Sequence, residues 1–143
     1  MFVRIPALLL GVALAVSTLP VAACGQCPQA PAGASISITV RPRATAGGPD
    51  EMDDIAGVVQ GVRPADARVV IYAHAGDRWW IQPLEDAPFT AITANLEWRS
   101  RIHLGFEYAT LLVHRNYRPT NQPMQLPQVG GCVWAVDVKS GHR

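Results

Sequence analysis

The chain has 143 residues and a formal net charge of +1, with a sequence pI of about 7.8. That length accommodates one domain, and that charge excludes both an electrostatic nucleic-acid binder and a polybasic membrane-surface protein. The 49% hydrophobic fraction is inflated by Met1–Ala23; the remainder can bury one core, but not separate cofactor and substrate lobes.

Met1–Ala23 reads as an export signal. It has one cation, Arg4, an apolar run from Ile5 to Val16, and a small-residue exit, Val21-Ala22-Ala23-Cys24. The run is too short for a comfortable membrane span, which needs about 20 residues. Val-Ala-Ala-Cys resembles the bacterial lipobox, with Val21 where Leu is usual. A thioether-linked diacylglycerol needs a thiol nucleophile, and Cys24 stands in that place. The resemblance implies a cell-envelope protein held to a bacterial membrane by lipid alone, on the outer membrane or the cell surface. Ordinary cleavage after Ala23 would instead give a secreted protein. With Cys24 lipidated, Cys27 and Cys132 form an even pair in an oxidising compartment. A Cys27–Cys132 disulfide would staple the N-terminal lead to the last strand; the other reading leaves two thiols, with Cys132 a small buried hydrophobe.

Residues 24–34 are rich in Pro, Gly, Ala and Gln without periodicity, a flexible tether. The span 35–140 is the folded domain. Ser35-Ile36-Ser37-Ile38-Thr39-Val40-Arg41 alternates polar and apolar, the period of a half-buried strand. Ala44–Asp54, with Gly47-Gly48-Pro49 and four acids, is expected to be a loop. Further strands are expected at Ile55–Val62, Arg68–Ala75, Trp79–Gln82 (after the Gly76-Asp77 turn), Phe89–Thr93 and Leu96–Arg101. Phe106–His114 suits a buried strand by its length and its Tyr108, Thr110 and Val113, although Ala109, Leu111 and Leu112 would also suit a helix. Tyr117–Gly131, with Pro119, Pro123 and Pro127, is a long loop, either functional or the cover of a strand edge. Cys132–Lys139 alternates again. Seven or eight short strands at such spacing predict an all-β, immunoglobulin-like antiparallel sandwich.

Trp79 and Trp80 are neighbours in a strand and must point to opposite faces. One belongs to the core, and we assign that place to Trp80. The other, with Trp98 and Tyr117, is a candidate stacking platform for the apolar faces of sugar rings. His103-Leu104-Gly105-Phe106-Glu107 is the one histidine–carboxylate constellation in sequence, but it lacks a third metal ligand. Glu85, Asp86, Glu97 and Glu107 cannot be paired from sequence at the separations that glycosidases need. There is no Gly-x-Ser-x-Gly elbow and no phosphate-cradling loop. No catalytic residues, metal or cofactor are expected.

Several segments together resemble a small bacterial β-sandwich module, found alone in exported proteins and appended to polysaccharide-active enzymes. They are Ile38-Thr39-Val40-Arg41-Pro42, Ile55-Ala56-Gly57-Val58-Val59, Val69-Val70-Ile71-Tyr72-Ala73, Trp79-Trp80-Ile81-Gln82-Pro83, Pro88-Phe89-Thr90-Ala91-Ile92, Trp98, Ala109-Thr110-Leu111-Leu112-Val113 and Tyr117-Arg118-Pro119. The double Trp is the most specific piece. The chain departs from the module's Asp-Gly-(Ser/Thr)-Trp turn, having Asn95-Leu96-Glu97-Trp98. The resemblance implies a non-catalytic module that binds a polysaccharide or cell-envelope glycan. The alternative expectation is a structural lipoprotein with a protein partner at an exposed strand edge or at the 117–131 loop.

Overall fold

The computed structural model describes residues 26–143. The export signal expected over Met1–Ala23 and the lipidation expected at Cys24 fall outside the described residues. Two antiparallel sheets form an all-β sandwich, as the strand pattern predicts. The smaller sheet is β1 (Ser35–Val40), β2 (Met52–Gln60) and β6 (Glu97–His103), in the order β1-β2-β6. The larger sheet runs from β4 (Arg78–Gln82) through β3 (Ala67–Ala75) and β7 (Glu107–His114) to β8 (Val133–Ser140). A two-residue strand, β5 (Phe89–Thr90), pairs with β3 at Val69 and Val70, in line with β4 on the same edge.

Strand β1 follows its alternation: Ile36 and Ile38 are buried while Ser35, Ser37 and Thr39 face water. The loop expected over Ala44–Asp54 ends sooner, because Met52, Asp53 and Asp54 already pair with His103, Ile102 and Arg101 of β6. This end of β2 tolerates acids because their carboxylates reach donors at the surface. The Asp54 amide, 2.9 Å away, holds the Asp53 carboxyl below its ordinary range, and Arg43 Nε lies 3.5 Å from it. Phe106–His114 resolves as a strand. It lies between β3 and β8 and is buried on both faces, which is why its apolar run shows no clean period.

Those two buried faces create two apolar layers. The first lies between the sheets and includes Ile38, Ile55, Ile71, Trp98, Ile102 and Leu112. The second lies on the other face of the larger sheet and is built from Val70, Tyr72, Trp79, Ile81, Leu111 and Val113. The second layer is covered by irregular chain. Tyr117 and Leu126, from the loop expected over Tyr117–Gly131, pack against it. The same strap runs along the free edge of β4: the Trp79 amide donates to the Pro123 carbonyl at 3.0 Å and the Ile81 amide to that of Asn121 at 2.9 Å. Beneath the strap, the Tyr72 hydroxyl donates to the Thr120 carbonyl at 2.7 Å. The strap therefore serves as the edge cover that its length and prolines foreshadow.

Cys27 and Cys132 are bridged, with Cα atoms 5.0 Å apart. Trp134 Nε1 donates to the Pro28 carbonyl at 3.1 Å. The span 24–34, expected as a flexible tether, is thus fastened to the domain from Cys27 onward, and the packed unit starts ahead of β1.

Candidate functional site

The two sheets differ in width. Strand β1 packs over β7 and β8, and β6 over β3, so β4 overhangs the rim of the smaller sheet. Under this overhang lies a cleft of about 590 Å³, within the size range of small-ligand sites. Ala73 and Ala75 of β3 form its back, and Trp80 and Gln82 of β4 one wall. His103 and Leu104, where β6 ends, form the other, and the segments at 46–49 and 83–85 close the mouth.

Trp80 pairs with Ala73 across the β3–β4 ladder, which puts its indole on the face that looks toward the smaller sheet. Because nothing stacks above it there, it remains 40% exposed. Its Nε1 donates to the Ala75 carbonyl at 3.0 Å. The ring is pinned by its polar edge and presents an apolar π-face to the cleft. Gln82, two residues on and on the same face, is 4% exposed. Its Oε1 accepts the His103 amide at 3.0 Å and lies 3.2 Å from His103 Nδ1. Its Nε2 reaches only the Trp80 carbonyl, at 3.5 Å, which leaves amide donor capacity unspent beside the indole. At the mouth, the Glu85 carboxylate accepts from Gln122 Nε2 at 3.1 Å. Among the described residues lining the cleft there is no Lys or Arg.

Of the candidate platforms, only Trp80 reaches this site. The assignment of Trp80 as the buried member of the pair is reversed: Trp79 is 8% exposed, enclosed in the second apolar layer beneath the strap. Its ring stacks on His74, with centroids 4.7 Å apart. Trp98 is 1% exposed and offers no face to a ligand. It pairs with Gly57 across β2 and β6, where a side chain on Gly57 would collide with the indole and with the Ser37 carbonyl. Tyr117 is half-buried against the second layer, and burial pushes its phenol pKa up. Trp79 and Trp98 are structural because remote chain covers each of them, and Tyr117 packs against the second layer as part of the strap.

The His103–Glu107 constellation does not form. The β3–β7 register sets Glu107 opposite His74 instead, with Oε2 3.3 Å from His74 Nδ1, while His103 turns to Gln82. Among the described residues no three His, Cys, Asp or Glu side chains gather as a metal-ligating set. Gln82 and His103 are the cleft residues that sequence reasoning missed as a pair. Their only sequence signal was the Gln82-Pro83 step that ends β4. No family model matches this chain, and neither a curated protein nor a solved structure shows significant similarity to it.

Proposed function

We propose that this chain is a lipid-anchored, extracytoplasmic and non-catalytic module that binds a glycan in the Trp80 cleft. The observation that carries the reading is the pairing of a fixed, half-exposed indole face with the spare amide donor of buried Gln82. Sugar rings need both elements: an apolar plane for their C–H face and directed polar groups for their hydroxyls. The cleft's charge narrows the ligand. With no cation at the site and one carboxylate at its mouth, a neutral or N-acetylated sugar is favoured over a polyuronate or a phosphate-rich polymer. A single lining carboxylate supports binding rather than turnover, since glycoside hydrolysis ordinarily uses two.

Two further points support the reading. Leu96 stands where the resembling modules carry Gly, and it adopts φ +63°, a backbone conformation natural to glycine. The domain's early fastening at Cys27 suits a lipid attached at Cys24, at the envelope of a bacterium. The test is a glycan array probed with residues 26–143, which retain the disulfide. Wild type should bind neutral or N-acetylated polysaccharide, and Trp80→Ala should lose that binding while keeping its far-UV circular dichroism. Absence of any glycan binding would shift the weight to a protein partner at the strap, where Met124 and Val129 are 71% and 62% exposed. The anchor is tested separately: Cys24→Ala should move the protein from the membrane to the soluble fraction.

A further inference from the structure

The bridge and the cleft occupy opposite poles of the sandwich. The His114 amide donates to the Cys132 carbonyl at 2.9 Å, and His114 pairs with Ala67, the first residue of β3. The cleft is lined by Ala73, Ala75 and Gly76, at the far end of β3 and just past it. The smaller sheet agrees. Ser35, which follows the lead, pairs with Gln60 at one end of β2, while His103 of the cleft pairs with Met52 at the other. At about 3.3 Å per residue, β3 separates the two poles by about 26 Å.

The connection to the lipid is short. Cys24 and Cys27 are joined by three Cα–Cα steps, so their Cα atoms can be no more than about 11 Å apart. From Cys27 onward the chain is held by the bridge and by the Trp134–Pro28 hydrogen bond. We propose that the domain is mounted on the bilayer rather than tethered to it. The pole bearing Pro28, Arg63 and the Cys27–Cys132 bridge rests at the headgroups, and the Trp80 cleft opens away from the membrane. The inference rests on the lipid-anchor and glycan readings above and deepens them. The glycan it takes is a polymer presented beyond the protein's own length from the anchoring bilayer, not the headgroup sugar of a lipid in the same leaflet.

The test uses the full lipidated protein reconstituted in phosphatidylethanolamine–phosphatidylglycerol vesicles. Fluorophores are placed singly at Arg63→Cys and Asp77→Cys, whose parent side chains are 84% and 73% exposed. A nitroxide carried on the lipid headgroup should quench the Arg63-site label several-fold more than the Asp77-site label. Reducing the Cys27–Cys132 bridge in the labelled proteins should flatten that difference. Equal quenching at both sites before reduction, or the reverse order, overturns the mounted orientation while leaving the lipid reading intact. If wild type fails to stay on the vesicles, or Cys24→Ala stays on them as firmly as wild type, the lipid reading fails and the orientation falls with it.

Discussion

Trp79 and Trp80 are successive residues on one strand, yet one is sealed and the other half-exposed. The sealed indole is on the face that the opposing sheet never touches, and the exposed one is on the face that looks toward it. The contrast shows that burial in a sandwich depends on what covers each patch, not on which face is nominally interior. Behind Trp79 lies the strap at 117–131, fixed by the β4 amides and by Tyr72. Above Trp80 the smaller sheet has already ended at β6. A covered face becomes core and an overhang leaves a cleft.

Opening the Cys27–Cys132 bridge should have the largest effect on this contrast, because Cys132 ends the strap as well as holding the lead. The bridge spans 105 residues, for which the chain-entropy model gives a loss of up to about 4–5 kcal/mol. Urea titrations of oxidised and reduced protein measure it, and matching midpoints would show that the bridge does not stabilise the fold. Next comes the pair itself. Trp79→Ala should cost about 3–5 kcal/mol, as for other buried Trp truncations. Comparable losses from Trp79→Ala and Trp80→Ala would mean that the cleft face is as tightly packed as the strap face, against the 8% and 40% exposures of the two indoles.

A smaller effect is expected at the strap's hydroxyl anchor. Tyr72→Phe removes the hydrogen bond to Thr120 and should cost about 1 kcal/mol at neutral pH. Burial, followed by the proximity of Tyr117, raises the Tyr72 pKa above its ordinary value. The folded state therefore retains this proton more firmly than the unfolded chain does. Its contribution is complete below about pH 10 and declines as pH rises beyond that. Stability measured across this range should fall, and Tyr72→Phe should lessen the slope; Tyr108 and Tyr117, also raised by burial, account for what remains. An unchanged slope in Tyr72→Phe would remove Tyr72 from the alkaline transition. The smallest change in stability belongs to Trp80→Ala, about 0.5 kcal/mol, readable by thermal melting alongside the proposed glycan-array comparison.

Much of the fold was legible because strands announce themselves locally. The alternation of Ser35–Val40, the Gly76-Asp77 turn before β4 and the strap's prolines each act over a few residues. The start of β2 was obscured because Asp53 and Asp54 carry acidic side chains that only their pairing with β6 and the partners of Asp53 make compatible with a strand. The site was less legible. Gln82 and His103 are held together by a hydrogen bond between sheets, and no local spacing encodes it. Likewise, Glu107 met His74 rather than nearby His103, because the β3–β7 register, not sequence distance, decides which side chains face each other.

The sequence by itself determined the strand content and the opposite orientation of Trp79 and Trp80, and it offered Cys27 and Cys132 for a bridge. These follow from backbone period and composition, which each segment carries alone. Only the tertiary structure decided which indole is exposed, that Trp98 is core, and that the bridge and the cleft stand at opposite poles. Those outcomes depend on sheet width, strand register and the path of the strap, all set by contacts between residues far apart in the chain.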